Sequence, residues 1–335
     1  MTTFFKSFPA LLLAACALTV SAQGTNRTAI LKLNHTDTPS GARHQASEFF
    51  AKRVEEFSKG KYRILVFHSG QLGNDPQSIK ALGEGKLDFT TSATGSFAGL
   101  VPKLNLTALP YLVGSYEQGW RFYDESPWLR TQFDKLPAKG VRHLATWEAG
   151  FRSFTTKSAL NKPEDAVGKK MRVFPNEMIK WTVKSIGYKA VVIPATEVYS
   201  AIQQGRVDGQ ENPIDTIRAL RFSEVAPNIA LTQHVYSPLP FVMSEATWKK
   251  LSAAGRDYFQ RAAREAAALS RKLVKEADEK NLEFMRLAGA KILRVDKDPF
   301  RKAMASVYVK AKTFYGSDVD AILKDTRQVD KLSAH

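Results

Sequence analysis

The stretch from Gly168 to Pro213, GKKMRVFPNEMIKWTVKSIGYKAVVIPATEVYSAIQQGRVDGQENP, decides the fold class of this chain. Arg172 stands between apolar Met171 and Val173, which reads as a cation mounted at the end of a buried strand. An amphipathic helix follows, then a short strand over Ala190–Pro194 and a second helix from Thr196. Asp208, Gly209, Gln210, Glu211 and Asn212 read as a polar turn running into Pro213. A strand–helix–strand–helix unit with polar groups at its strand ends is how α/β lobes build a ligand site. A guanidinium fixed there either takes a carboxylate ligand, whose two oxygens match its fork of donors, or makes a structural salt bridge.

The same alternation runs outward from this unit. Ile30–Asn34 reads as a strand, His35–Gly41 as a polar loop, and Gln45–Ser58 as a helix with Phe49, Phe50, Val54 and Phe57 on one face. Strand Tyr62–Phe67, the turn from His68 to Asp75, helix Pro76–Glu84 and strand Leu87–Thr91 follow. Short β–α–β repeats imply a mainly parallel sheet covered by helices. Phe97–Leu112 carries Pro102 and Pro110 and reads as a buried connector; Tyr116–Asp124 and Pro127–Leu136 read as helices. Val141–Trp147 and Phe151–Thr156 are strands, with Glu148-Ala149-Gly150 crossing between lobes. Val225–Leu231 and Val235–Met243 return as extended chain, and Glu245–Ala288 is a long helical stretch with a solvated flank. The expected product is an α/β clam with mixed, mostly parallel sheets. Lobe I comprises 23–149 with 238–277, and lobe II comprises 150–237 with 278–335.

Composition narrows the class. Met1–Ala22 reads as a signal peptide, with Lys6 before the apolar run Phe8–Val20 and a small-residue site at Val20-Ser21-Ala22. Leu13-Ala14-Ala15-Cys16 resembles a lipoprotein box, but the apolar run continues past Cys16, which favours cleavage after Ala22 and release into the periplasm. Cys16 is the one cysteine, so the mature chain is expected to have no disulfide, thiol nucleophile or cysteine zinc site. The six histidines include no metal-ligand pair at helical spacing, and neither metal nor cofactor is expected. A formal charge of +16 suggests attraction to anions, and the scattered basic residues match no nucleic-acid motif. No Gly-x-Ser-x-Gly elbow, P-loop or dinucleotide fingerprint is present, which argues against the competing class of a periplasmic enzyme.

Six blocks occur in order: Gln71-Leu72-Gly73, Gly150-Phe151-Arg152, Pro163-Glu164-Asp165, Gly168 to Val173, Glu197-Val198-Tyr199 and Gly205 to Pro213. Together they resemble the DctP-type solute-binding receptors of tripartite ATP-independent periplasmic (TRAP) transporters, over essentially the whole mature chain. The resemblance implies a non-catalytic, monomeric receptor that captures a small organic acid anion and passes it to the small and large membrane permease subunits. It implies that Arg172 forms the bidentate salt bridge to the ligand carboxylate, that Asn212 helps hold the same ligand, and that Arg152 is a second pocket arginine. It places Asp75, and Asn34, His35 and Asp37 after the first strand, on the pocket wall, at positions that vary with ligand. The receptor of an ATP-driven importer shares the architecture, and the Asp208–Pro213 block argues against it by resemblance.

Further candidates come from position alone. Ser92 and Thr94 follow a strand at its carboxyl end, where they serve a hydroxylated ligand or cap a helix. Trp147 and Glu148 face the cleft or pack at the lobe junction. Asp208 and Glu211 are expected to fix their turn and pair with nearby cations. So many polar candidates favour a sugar acid, such as a uronate or aldonate; a C4-dicarboxylate or a 2-oxo or hydroxy acid is the alternative.

Overall fold

The computed structural model describes residues 28–331, so the expected leader, its cleavage point and Cys16 lie outside the described residues. The strands are β1 (Ala29–Asn34), β2 (Tyr62–Phe67), β3 (Phe89–Thr91), β4 (Val141–Trp147), β5 (Phe151–Thr156) and β6 (Lys170–Val173). They continue as β7 (Lys189–Val192), β8 (Gly209–Pro213), β9 (Asn228–Tyr236), β10 (Leu239–Ser244) and β11 (Lys291–Leu293). The helices are α1 (Ala42–Ser58), α2 (Asp75–Gly83), α3 (Tyr116–Glu125), α4 (Pro127–Phe133), α5 (Glu177–Ser185) and α6 (Val198–Gln203). After them come α7 (Ile214–Ala219), α8 (Phe222–Val225), α9 (Glu245–Lys250), α10 (Ala253–Leu287), α11 (Asp298–Tyr315) and α12 (Ser317–Lys331).

One sheet runs β2-β1-β3-β10-β4 and the other β11-β9-β5-β8-β6-β7. Each is mixed. In the first, β10 lies antiparallel between β3 and β4. In the second, β5 lies antiparallel between β8 and β9, while β6 is parallel to both β7 and β8. The chain passes from the first sheet to the second between β4 and β5, returns between β9 and β10, and leaves again between β10 and β11, the stretch that contains α10. Gly150 has φ of +100°, and a Cβ there would lie 2.9 Å from Tyr116 Oη, so only glycine makes this crossing without strain.

The first lobe is held by an aromatic nest. α1 buries Ala46, Phe50 and Val54 at the i, i+4, i+8 spacing of one helix face. Phe50 meets Phe241 at 4.5 Å between ring centroids, and Trp147 stacks on Phe241 at 4.2 Å. α10 closes this core with Phe259 and the small residues Ala262, Ala263 and Ala266. Farther along the same helix, Leu282 and Met285 enter the core of the second lobe. At ~1.5 Å per residue its 35 residues span about 52 Å, enough to brace both lobes. The expected helix from 245 to 288 is therefore two, broken at Leu251, where the backbone is extended. α12 packs on α3 and α4, elements contributed by the first half of the chain.

One expectation is corrected outright. Residues 209–213 are not a turn but a buried strand, β8, paired with β5 on one side and β6 on the other. A polar sequence occupies the middle of the sheet because its side chains satisfy one another. Gln210 Nε2 donates to Thr155 Oγ1 at 2.7 Å, and Glu211 meets Arg152.

Candidate functional site

A cavity lies between the lobes, with Asp37, Arg43 and Asp75 on one wall and Arg152, Arg172 and Asn212 on the other. The walls also touch directly around it. Thr38 Oγ1 donates to the Ala219 carbonyl at 2.9 Å, and the Ala42 N–H donates to Asp215 Oδ2 at 3.0 Å. Asn176 caps α5 through Oδ1, while its Nδ2 donates to the Gly95 carbonyl (3.2 Å) and to Asn105 Oδ1 (2.8 Å). The cleft is thus closed in this structure.

Arg172 sits on β6 opposite Gln210 of β8 and Val191 of β7. Its Nε donates to the Ile193 carbonyl at 2.8 Å, which fixes the plane of the guanidinium. The two terminal nitrogens have no hydrogen-bond partner among the described residues. Burial lowers its pKa to about 10; Glu211 and Asp75 oppose that and Arg152 adds to it, so the group stays cationic at neutral pH.

Arg152 lines the same cavity in a different electrostatic state. Its Nε and Nη2 grip the Glu211 carboxylate, Nη2 also reaches the Glu211 carbonyl at 2.5 Å, and Nη1 donates to Ser237 Oγ at 3.2 Å. Burial tends to raise the Glu211 pKa, but Arg152 and the nearby His234 overcome it and hold the carboxyl at about 2. The positive charge of Arg152 is therefore cancelled inside the protein. Phe174, absent from the sequence reading, covers its guanidinium at 5.0 Å from the ring centroid. Asn212 reaches the cavity from β8, its amide nitrogen held by Gln210 Oε1.

The opposite wall is acidic. Asp75 begins α2, whose start is fixed by a reciprocal Asn74–Gln77 capping box. Its Oδ1 accepts from Ser92 Oγ at 2.8 Å and Thr36 Oγ1 at 3.3 Å, while Oδ2 has no partner among the described residues. Asp37 pairs with Arg43 of α1 at 3.3 Å. Burial, with Asp215 and Asp75 nearby, lifts the Asp37 pKa to about 6 against the pull of Arg43. Arg43 was not singled out from the sequence. Its signal was present: 43, 47, 50 and 54 share one helix face, so a cation heads a buried stripe.

Several candidates lie away from the cavity, and the structure gives each a structural task. Trp147 is 1% exposed in the first lobe's core, its indole N–H donating to the Ala263 carbonyl at 3.3 Å. Glu148 is buried at the crossing, where it accepts from Trp120 Nε1 (2.7 Å), Tyr236 Oη (2.6 Å) and the Gly150 N–H (2.7 Å). Asn34 ties the 72–78 segment to β1 through the Leu72 N–H, the Gly73 carbonyl and Ser78. His35 lies behind the wall against His44, with 3.2 Å between their ring nitrogens. Ser92 acts on Asp75 rather than on the cavity, and Thr94 meets Tyr123 Oη at 3.0 Å. Asp208 does fix its loop, accepting from the Lys170 N–H at 2.7 Å.

The family model described as "Bacterial extracellular solute-binding protein, family 7" (DctP) matches residues 33–313. The chain belongs to this family. It is 30% identical over 320 residues to the sialic acid-binding periplasmic protein SiaP of Vibrio cholerae, covering 95% of this chain and 98% of that one. The sugar acid binding protein DctPAm of Advenella mimigardefordensis, solved with galactonate, superposes with a TM-score of 0.87 at 30% identity, covering 90% of this chain and 99% of its own. A TRAP solute-binding protein of Sulfurospirillum deleyianum with bound succinate has a TM-score of 0.84 at 31% identity, covering 90% and 98%. The protein is a TRAP solute-binding receptor with the periplasmic-binding-protein fold. Among the described residues, no helix is long and apolar enough to cross a membrane.

Proposed function

We propose that this receptor is exported to the periplasm, captures a sugar acid with a single carboxylate by closing its lobes on it, and delivers it as a monomer to the small and large permease subunits. One observation carries the ligand class. Of the three cations lining the cavity, Arg152 and Arg43 each have a carboxylate at ion-pair distance, and among the described residues Arg172 has none. A buried guanidinium without a counter-ion calls for an anion from outside. Arg172 supplies a bidentate anchor for that carboxylate, and Asn212 adds an amide beside it.

The charge count then argues against a second carboxylate. With both ion pairs cancelled, Arg172 and Asp75 are the remaining charges among the lining residues, so the far wall is acidic. Two like charges ~4 Å apart repel by about 4 kcal/mol at an effective dielectric constant of ~20. Hydroxyls, by contrast, can donate to Asp75 Oδ2. The galactonate bound to DctPAm is of the proposed class; the succinate bound to the Sulfurospirillum relative is not.

The test is calorimetric titration of protein freed of ligand by unfolding and refolding, against galactonate, galacturonate, glucuronate and succinate. Sugar acids should bind and succinate should not. Arg172→Ala should abolish binding, and Arg172→Lys should restore little because an ammonium lacks the fork. Tight succinate binding, or unchanged affinity in a folded Arg172→Ala protein, overturns the assignment.

A further inference from the structure

We propose that Asp37 and Arg43 form a second, distal subsite that reads a hydroxyl at the far end of the bound acid, and so selects aldonates over the aldarates that carry a carboxylate there. The inference rests on the sugar-acid reading above and assigns the opposite end of the same ligand.

The two side chains line the cavity and are nearly sealed, Asp37 at 2% exposure and Arg43 at 7%. Their ion pair is incomplete. Arg43 Nε lies 3.3 Å from Asp37 Oδ2 without forming a hydrogen bond, and Asp37 Oδ1 has no partner either. A buried donor and a buried acceptor therefore stand unpaired side by side at the cavity wall, where sealed polar groups are ordinarily satisfied. Arg43 is not free to swing away to find another partner. Its Nη1 donates to Thr36 Oγ1 at 3.1 Å, and that hydroxyl donates on to Asp75.

The chemistry of the missing partner follows from this pairing. An ammonium only donates and would face Arg43; a carboxylate only accepts and would face Asp37. A hydroxyl does both, donating to Asp37 Oδ1 and accepting from Arg43. The protein already uses hydroxyls in this way next door, where Thr36 accepts from Arg43 and donates to Asp75. The pair is also distal to the anchor. Asp37 follows β1 and Arg43 lies on α1, across the cavity from Arg172 of β6, so a ligand anchored at Arg172 meets the pair on the facing wall.

The test pairs each six-carbon aldonate with its aldarate: galactonate with galactarate, gluconate with glucarate, and mannonate with mannarate. All are titrated against refolded wild type, Asp37→Asn, Arg43→Gln and Arg172→Ala. Wild type should prefer the aldonate of any pair it binds. Asp37→Asn removes the like charge and keeps Arg43, so aldarate affinity should rise by about tenfold or more relative to the aldonate. Arg43→Gln should weaken the aldonate by about tenfold with no gain for the aldarate. A gain of binding cannot come from a damaged fold, which makes the Asp37→Asn ratio the decisive reading. If wild type binds an aldonate through Arg172 but the ratio is the same in Asp37→Asn, the subsite is overturned and the anchor stands. If wild type binds none of the six acids, the subsite as a selector of aldonates is overturned, while the sugar-acid reading is decided separately by galacturonate and glucuronate.

Discussion

Helix α1 is capped by the other lobe, and that contact sets an expected strength for closure. Its N-cap residue is Gly41, which has no side chain to accept from the first free N–H groups. The acceptor comes instead from Asp215 on α7, whose Oδ2 takes the Ala42 N–H at 3.0 Å. Opening the cleft separates the two, so Asp215→Ala penalises the closed form; besides that contact it gives up a long 3.4 Å bond from Asn281 Nδ2. A lost cap costs about 1 kcal/mol (range ~0.5–2). At ~1.4 kcal/mol per tenfold, the closed-to-open ratio should fall about fivefold, and where the ligand-free form is mainly open the apparent affinity for any ligand bound in the closed form should fall with it. Burial raises the Asp215 pKa even with the Ala42 N–H and Arg218 opposing it, so its ionisation is already costly and the net loss belongs toward the lower end of the range. Titration calorimetry gives the affinity, stopped-flow fluorescence the off-rate, and small-angle scattering the degree of closure. The off-rate should rise and the ligand-free melting midpoint should hold. Thr38→Val, which removes the hydroxyl bonded to the Ala219 carbonyl, should act in the same direction. Affinities within twofold of wild type in both variants would refute the idea that these contacts weigh on closure. An equal fall of the ligand-free and ligand-bound midpoints would refute it too, by showing that they serve the fold.

Breaking the buried Arg152–Glu211 pair with Glu211→Gln leaves an uncompensated guanidinium, and should destabilise the protein by ~3–5 kcal/mol, read as the urea midpoint of the ligand-free form; a midpoint like wild type would show that the pair is not sealed from water. Asp278, buried against α3 with Asp215 and Glu148 near it, has its pKa raised to about 7 by burial despite the Tyr116 hydroxyl bond. The fold therefore holds this proton up to about pH 7, while the unfolded chain gives it up near pH 4. The group's contribution is intact below the unfolded value and is lost as pH rises through 7. Asp278→Asn should thus gain melting midpoint relative to wild type between pH 5 and 8; a pH-independent difference would count against the raised pKa.

The lobes were legible because hydrophobic periodicity reports burial on one face. The face of α1 carrying Phe50 and Val54 could be read directly. The polar run Asp208–Asn212 reads as an exposed turn because polarity ordinarily accompanies exposure, whereas Gly209–Pro213 is a strand. A strand buried on both faces is expected to be apolar, but here Gln210 and Glu211 are buried among partners that arrive from Thr155, Arg152 and His234, residues far off in sequence. No local pattern announces that a polar residue will find its complement.

The same blindness decided the site. Asn34, His35, Ser92, Trp147 and Glu148 were rightly placed near strand ends, yet each points into the protein to satisfy a backbone or side-chain neighbour. Asp37, Asp75, Arg152, Arg172 and Asn212 do reach the cavity, but sequence could not separate the two arginines. Their difference is one of charge balance. Glu211 follows Gln210 on β8, and because side chains alternate along a strand, Glu211 falls to Arg152 on β5 while Gln210 lies level with Arg172 on β6. A one-residue slip of β8 would turn Glu211 to the opposite face and take the carboxylate away from Arg152. The register of a single polar strand thus determines which arginine is cancelled within the protein and which is left to hold an anion.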